Sequence, residues 1–126
     1  MNTHFFMSKL LHCDCGLYNT QLYGQYGQGF AKINLTPNKR LELSLETKDN
    51  TNQEAEIFAV LSAITFAIKH KVNTIYSDSQ FVVKSVNDNW KVKEPRLKLS
   101  IAIIKSLLSY WKIKLQWIRR EDNWAT

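Results

Sequence analysis

Cysteine is scarce in this sequence, and its two cysteines exclude the disulfide-stabilised and zinc-ribbon classes of small protein. Cys13 and Cys15 flank a single aspartate, so they supply neither a disulfide framework nor paired CxxC motifs. Long apolar runs are also missing, and none approaches the length of a membrane-spanning helix. Residues 1 to 11 have their only lysine after the apolar residues and are too short for a signal-peptide core. We therefore expect a soluble protein of a reducing, cytoplasmic compartment, without membrane association.

What is present fits one compact domain with a basic character. The 126 residues are 44% hydrophobic, enough to bury well over half of the unfolded-chain surface. No repeat, low-complexity tract or linker divides them, so we expect residues 1 to 126 to form a single, monomeric domain. Lys and Arg outnumber Asp and Glu by 17 to 11, a net charge of +6. That excess favours a polyanionic partner such as nucleic acid.

The hydrophobic period changes along the chain in an order that predicts an α/β fold. A strand over residues 5 to 13 is followed by a glycine-bearing loop or wide hairpin over residues 15 to 29. Leu41, Leu43 and Leu45 alternate with polar residues, which is typical of a half-buried antiparallel strand. The other predicted elements are strands at 29 to 35, 73 to 77 and 113 to 118, and helices at 51 to 69, 79 to 87 and 95 to 111. This order, βββαβααβ, predicts that the later strands pair in parallel through right-handed crossovers.

Two glutamates at the start of the first predicted helix have different expected roles. With Thr51 as the N-cap, Glu54 is the third helical residue, so the stretch TNQE is a capping box that satisfies two backbone amides. Glu56 instead begins an apolar line at helical spacing, followed by Val60 and Ala63. An ionised carboxylate on that side costs several kcal/mol unless a cation meets it. The alternative is an exposed first turn in which Glu56 only complements the helix dipole.

Two aspartates stand at predicted strand ends. Asp78 follows a short apolar strand and opens a helix, at the carboxyl end of the strand, where ligand sites of α/β sheets concentrate. Alternatively, Ser77, Asp78 or Ser79 caps that helix. Asp14 is predicted at the end of the first strand, before a glycine-containing loop. Together with Glu56, these acids come from elements that should be neighbours in one sheet, and hard divalent cations choose clustered oxygen ligands of this kind.

Three stretches follow one another along the chain, namely TNQEAE before an apolar helix, IYSDSQFVV, and QWIRREDN. In this order they resemble the ribonuclease H family, in particular type 1 ribonuclease H and related retroelement domains. The likeness begins at LHCD, although the family usually has Asp-Gly-Ser where this chain has Asp14, Cys15 and Gly16. It implies a ribonuclease H-like fold, a five-stranded mixed sheet with three antiparallel strands first and parallel strands later, flanked by helices. The implied activity is endonucleolytic hydrolysis of the RNA strand of RNA–DNA hybrids, leaving 5′-phosphate ends.

The resemblance also implies the site residues. Asp14, Glu56 and Asp78 are assigned as catalytic metal ligands that hold two Mg²⁺ or Mn²⁺ ions. The resemblance also implies substrate-binding residues. They come from family positions that contact the hybrid's minor groove, from the aromatic and basic stretch NWKVKEPRLK, and from the loop after the last strand. The candidate substrate-binding residues are Gly16, Thr51, Asn52, Gln80, Trp90, Lys91 and Arg119. Other roles stay open for three of them: capping for Thr51, a solvated helix position for Gln80 and core packing for Trp90.

Two alternatives to a hybrid nuclease stay open. One is a catalytically weak or silent nucleic-acid-binding domain with the same fold. The other is a resolvase or integrase-like nuclease, against which TNQEAE and SDSQ argue.

The family has a fourth acid four residues after the loop asparagine, which from Asn123 is position 127, whereas the sequence given ends at Thr126. Either that acid and the final helix are missing, or Thr126 takes the acid's place. We expect weak cleavage that favours Mn²⁺ over Mg²⁺. The loop after the last strand has no histidine, and His4, His12 and His70 are expected to be surface or packing residues.

Overall fold

The computed structural model describes residues 9–126, which form a five-stranded mixed sheet and three helices. The strands are β1 (Leu10–Gln21), β2 (Tyr26–Thr36), β3 (Lys39–Ser44), β4 (Thr74–Ser77) and β5 (Lys114–Trp117). The helices are α1 (Asn52–His70), α2 (Gln80–Asn87) and α3 (Pro95–Trp111), and a short 3-10 turn, Arg120–Asp122, follows β5. His4 and the first four residues of the strand predicted at 5 to 13 lie outside the described residues.

The sheet has the predicted mixed topology. Its spatial order is β3-β2-β1-β4-β5. The first three strands are antiparallel, and β4 pairs in parallel with both β1 and β5. The predicted α/β fold class and order of elements are therefore confirmed. Within residues 9–126, no helix has the length and apolar character that crossing a bilayer requires.

The core lies between α1 and one face of the central strands. Leu11 and Cys13 on β1, Ile33 on β2 and Ile75 on β4 are at most 2% exposed. They share a face because successive residues of a strand point to opposite sides of the sheet. Ile64 of α1 is fully buried in the same cluster. Each such aliphatic side chain contributes roughly 1.5–3 kcal/mol to folding, so this layer fixes how α1 sits on the sheet.

The helix bounds agree with the predicted ones to within one residue, because capping side chains set them locally. Thr51 Oγ1 accepts the Glu54 N–H at 3.2 Å, and Glu54 Oε1 accepts the Thr51 N–H at 2.9 Å, which confirms the capping box. Ser79 Oγ accepts the Val82 N–H at 3.2 Å and begins α2. Pro95 occupies the first position of α3, where its missing N–H leaves no bond unmade.

β1 is longer than predicted, and Asp14 lies within it rather than at its end. The glycines and polar residues of 15 to 29 predict a loop or wide hairpin, and the structure has the hairpin: β1 and β2 stay paired as far as Tyr18, with a register shift before Gln21. Gly16 makes room for a ring: a Cβ there would lie 2.3 Å from Phe30 Cζ. Glycine here marks the close approach of a neighbouring strand's side chain, so the loop alternative was wrong and the hairpin alternative is confirmed.

β3 is antiparallel as predicted, but its leucines are more exposed than its alternation suggests. Leu41 and Leu43 pair with Ile33 and Ala31 of β2 and share their face of the sheet. They are nevertheless 40% and 39% exposed. The reason is position, because α1 packs on β1 and β2 and β3 is the edge strand beyond them.

The segment after β5 packs on the opposite face of β1. The Trp124 ring stacks on His12 with 4.0 Å between centroids and 4° between planes, and the Trp124 backbone N–H donates to His12 Nδ1 at 2.9 Å. The buried Asn123 amide donates to the Cys13 carbonyl at 3.0 Å and accepts the Ala125 N–H at 3.0 Å. Burial lowers the pKa of His12, which a hydrogen bond with Asn123 partly opposes. His12 is thus a packing residue, as expected.

Candidate active site

Asp14, Glu56 and Asp78 reach one cavity of about 620 Å³ from three different elements. Asp14 lies on β1, Glu56 near the start of α1, and Asp78 between β4 and α2. The parallel register sets Cys13 opposite Ser77, so the next residue on each strand, Asp14 and Asp78, lies at the same level. The sheet therefore brings two acids side by side that are 64 positions apart in sequence.

α1 delivers Glu56 to the cavity and turns Glu54 away from it. Glu56 is half-buried and stands in line with Val60 and Ala63, both fully buried. Glu54 is held by the capping box and lies 3.6 Å from a guanidinium nitrogen of Arg96. One glutamate therefore stabilises the helix start, and the other faces the cavity.

Asp78 is free of the capping role that the sequence left open. Ser77 Oγ accepts the Ser79 N–H at 3.1 Å, and Ser79 Oγ caps α2. Because the hydroxyl groups of the two serines accept the hydrogen bonds of the backbone amides in this turn, the Asp78 carboxylate is available to the cavity.

Burial and like charge make this cavity favourable for cations. Burial raises the pKa of Asp14, and the charge of Asp78 adds to the rise. The Cys15 N–H, which donates to Asp14 Oδ1 at 2.8 Å, opposes it, as does the Lys32 charge. Burial also raises the pKa of Glu56, with the Ser79 hydroxyl opposing and both aspartates adding. A cation among these acids would relieve both the desolvation and the repulsion.

The donor atoms suit a hard divalent ion. Carboxylate oxygens are the ligands that Mg²⁺ and Mn²⁺ prefer, and all three candidate acids line the same cavity. In the part of the chain that the structure describes, however, no three His, Cys, Asp or Glu side chains form a group that could hold an ion. Metal binding by these acids stays a prediction.

Three of the predicted substrate-binding residues line the cavity, namely Asn52, Gln80 and Arg119. Thr51 is adjacent to Asn52, but its hydroxyl is used as the helix cap. Gly16 packs beneath a ring of β2 and is not among the residues that line the cavity.

Trp90 and Lys91 lie at a second cavity, between α2 and α3. Trp90 is 51% exposed, which removes the alternative of core packing. Five of the seven predicted substrate-binding residues thus lie at two separate cavities, and Gly16 and Thr51 line neither of them.

Seven residues that are not among the predicted site residues also line the first cavity, and Ser79 and Trp117 are two of them. Ser79 reaches it as well as capping α2, and Trp117 reaches it from the end of β5. The pairing of Ser77 with Trp117 brings the indole there. A signal was present for Trp117, because it lies one residue before the carboxyl end of the strand predicted at 113 to 118, and Ser77 likewise lies at the carboxyl end of a predicted parallel strand. Thr126 does not line this cavity, and its hydroxyl donates to the Arg120 carbonyl at 2.9 Å.

A family model described as RNase H matches residues 7–123. The chain belongs to the RNase H family. A ribonuclease H of Desulforamulus reducens is 27% identical in an alignment of 104 residues that covers 72% of this chain and 65% of that protein. The match thus spans slightly less than two thirds of that RNase H.

Solved RNase H structures share the fold. RNase H1 from the halophilic archaeon Halobacterium salinarum NRC-1 has a TM-score of 0.73 at 19% identity, covering 95% of this chain and 92% of that one. LC11-RNase H1, isolated from compost by a metagenomic approach, was solved in complex with an RNA/DNA hybrid. That complex has a TM-score of 0.66 at 23% identity, covering 90% of this chain and 87% of that one. The RNase H fold predicted from the motifs is confirmed.

Proposed function

We propose that this chain is an endonuclease that hydrolyses the RNA strand of RNA–DNA hybrids. The observation that carries the proposal is the arrangement of Asp14, Glu56 and Asp78 around one cavity in a chain of the RNase H family. LC11-RNase H1 in its solved complex holds an RNA/DNA hybrid, which supports the same substrate class here.

The three acids would bind two divalent ions, Mg²⁺ or Mn²⁺, and orient them. When bound, these ions would supply the charge that activates the attacking water and stabilises the leaving 3′-oxygen. Asp14 and Glu56 carry raised pKa values because burial and their neighbours disfavour ionisation. Their ionisation is therefore coupled to cation binding. The Cys15 N–H, at 2.8 Å from Asp14 Oδ1, helps to fix the orientation of that carboxylate.

Asn52 and Gln80 are suited to recognise the RNA strand. They are the first residues of α1 and α2, both are exposed, and both line the cavity that holds the acids. A side-chain amide both donates and accepts hydrogen bonds, and so does the 2′-hydroxyl that RNA displays in the minor groove. We assign these amides to 2′-hydroxyl contacts, and the chain's net charge of +6 favours attraction of the polyanion.

Cleavage assays on labelled duplexes test the proposal. Hybrid, RNA–RNA and DNA–DNA duplexes are incubated in Mg²⁺, in Mn²⁺ and in EDTA, with Asp78→Asn as the inactive control. We expect only the RNA strand of the hybrid to be cut, only with metal, leaving 5′-phosphates. Cleavage that persists in EDTA, or that is equal on all duplexes, would contradict the proposal. Hybrid binding without cleavage in either metal would favour a silent binding domain instead.

A further inference from the structure

Residues 45 to 50, which connect β3 to α1 and which we call the junction, are bound to β2 through their backbone. Gly27 and Asn50 form an isolated antiparallel bridge. The Gly27 N–H donates to the Asn50 carbonyl at 2.9 Å, and the Asn50 N–H donates to the Gly27 carbonyl at 2.8 Å. The Leu45 N–H donates to the Gly29 carbonyl at 2.8 Å. The chain therefore reaches the start of α1 with its backbone already attached to an interior strand of the sheet.

The Asn50 side chain adds two hydrogen bonds at the same place. Asn50 is 6% exposed, and its Oδ1 accepts the Gly29 N–H at 2.9 Å. Its Nδ2 donates to Thr47 Oγ1 at 2.8 Å, within the junction. A buried backbone amide that lacks an acceptor destabilises the fold, so the Gly29 N–H depends on this side chain. Asn50 thus joins the junction to β2 through both its backbone and its carboxamide.

The packing around Gly29 shows how closely the junction approaches β2. A Cβ at Gly29 would lie 3.1 Å from Leu45 Cδ1, 3.3 Å from Asn50 Oδ1 and 3.5 Å from Ala55 Cβ. Glycine therefore allows β2, the junction and the first turn of α1 to meet. Because the hydrogen bonds of Asn50 act across this contact, they hold the start of α1 at one distance from the strand.

The start of α1 in turn decides where two cavity residues lie. Asn50 directly precedes the N-cap, Thr51, whose carbonyl accepts the Ala55 N–H at 3.0 Å. Asn52 and Glu56 line the first cavity, and Asn50 is not among its lining residues. Intrahelical hydrogen bonds make the first turns of a helix move as a unit, so a displaced start carries both side chains with it. Any influence of Asn50 on the cavity therefore acts through α1.

We propose that Asn50 is a positioning residue for the cleavage reaction, because it holds α1 where Glu56 and Asn52 reach the cavity. The inference rests on the proposed function. Asn50 contacts neither the substrate nor the ions, so its effect is one of geometry. A misplacement of about 1 Å that originates away from the reacting atoms can lower the rate by about a hundredfold.

Asn34 provides a matched control variant on the same strand. It is 1% exposed and does not line the first cavity. Its Nδ2 donates to the Thr36 carbonyl at 3.1 Å, and its Oδ1 accepts from Arg40 Nε at 3.0 Å. Asn50→Ala and Asn34→Ala each remove a buried carboxamide with one donated and one accepted bond, so both should lower the melting temperature. Asn50→Asp is the conservative variant, because it keeps an acceptor for the Gly29 N–H.

Hybrid cleavage in Mn²⁺ is measured at a temperature at which urea unfolding shows every variant to be folded. We expect Asn50→Ala to lower kcat by about tenfold or more, and Asn50→Asp to restore most of the loss. Asn34→Ala should leave kcat unchanged although it is also destabilised. An equal loss in the two alanine variants, or no loss in Asn50→Ala, would mean that Asn50 has only a structural role and would overturn the inference.

Calorimetric titration with Mn²⁺, without nucleic acid, gives a readout apart from cleavage. We expect Asn50→Ala to weaken Mn²⁺ binding by about tenfold, because Glu56 is displaced, and Asn34→Ala to leave the affinity unchanged. If the parent binds Mn²⁺ but cleaves no hybrid, the proposed function fails while this difference in affinity still supports the role of Asn50. Equal Mn²⁺ affinities in the parent and Asn50→Ala would overturn the inference even if the parent cleaves hybrid. A parent that neither binds Mn²⁺ nor cleaves hybrid would overturn both.

Discussion

At the scale of single residues, the environment of each carboxyl group separates structural from catalytic candidates. Glu54 is fixed by the Thr51 amide and lies near Arg96. Glu56 and Asp14 are half-buried and have raised pKa values, first because of burial and then because acids face one another. A carboxyl group in a cavity whose ionisation is disfavoured is a candidate for metal binding. A carboxylate that already accepts a hydrogen bond from a helix-capping amide is not.

Glu56→Gln is expected to abolish hybrid cleavage, while Glu54→Gln is expected to leave it intact and cost about 1 kcal/mol or less of stability. Glutamine at 56 removes a charge from the cavity. Glutamine at 54 keeps the capping acceptor and loses only the attraction to Arg96. Cleavage rates at matched folded fraction and urea unfolding measure the two effects. Equal loss of activity in both variants would show that the division between them is wrong.

Asp14→Asn is expected to raise the melting temperature in EDTA at pH 7. Because the pKa of Asp14 is raised on folding, the folded state binds more protons than the unfolded state between the two pKa values. The free energy of unfolding therefore falls as pH rises between the unfolded and folded pKa values of Asp14. Above the folded pKa, the ionised Asp14 destabilises the folded state by its full amount. The variant removes this cost, so its advantage should vanish below the unfolded pKa of about 3.9.

The matched control is Asp49→Asn, at an exposed aspartate outside the cavity. It should show no comparable gain at pH 7. A lower melting temperature for Asp14→Asn than for the parent would mean that the hydrogen bond from the Cys15 N–H and the attraction to Lys32 together outweigh the burial and repulsion.

At the scale of elements, side chains at the helix starts are well matched to their positions, whereas two helix ends are strained. Thr51 and Ser79 cap the starts of α1 and α2. The ends of α1 and α3 instead place Lys71 at φ 56° and Lys112 at φ 54°, in the left-handed region. A side chain with a Cβ is disfavoured there, and glycine is the residue that usually occupies it.

Lys71→Gly and Lys112→Gly are each expected to stabilise the protein by about 0.5–1 kcal/mol, since glycine relieves the left-handed strain. Lys69→Gly, inside the last turn of α1, is the control and should cost up to about 1 kcal/mol. Urea unfolding of the three variants gives the comparison. Destabilisation by both cap variants would mean that the lysine side chains contribute more at these positions than the backbone strain costs.

At the scale of the whole molecule, the position of α1 decides which parts of the sheet are buried. It packs on β1 and β2, so the residues beneath it are almost fully covered while the edge strand β3 stays exposed. Leu43 shares the face of Ala31 yet is 39% exposed. Stability therefore resides in the central strands, and β3 contributes less despite its regular pattern.

Ile75→Ala is expected to cost about 2–5 kcal/mol, because it opens a cavity in the fully buried central layer. Leu43→Ala is expected to cost under about 1 kcal/mol, since its side chain keeps much of its contact with water. Urea unfolding of both variants checks the difference. Similar costs would indicate that β3 is covered in solution by something other than α1.

The sequence by itself determined the helices, the order of elements and the family. Capping residues such as Thr51 and Ser79 act on amides within three positions, and hydrophobic spacing repeats within one element, so local chemistry is readable without a fold. The motifs around Glu56 and Asp78 sufficed for the RNase H resemblance, which the family match confirms.

Tertiary structure alone decided the length of β1, the exposure of β3 and the content of each cavity. Gly16 belongs to a strand because Phe30, fourteen positions away, lies over it. Asn52 and Gln80 meet at one cavity while Trp90 joins Ser85 at another, and no spacing in the sequence separates these pairs. The physical reason is that such contacts depend on strand register and helix placement, which join residues far apart in the chain.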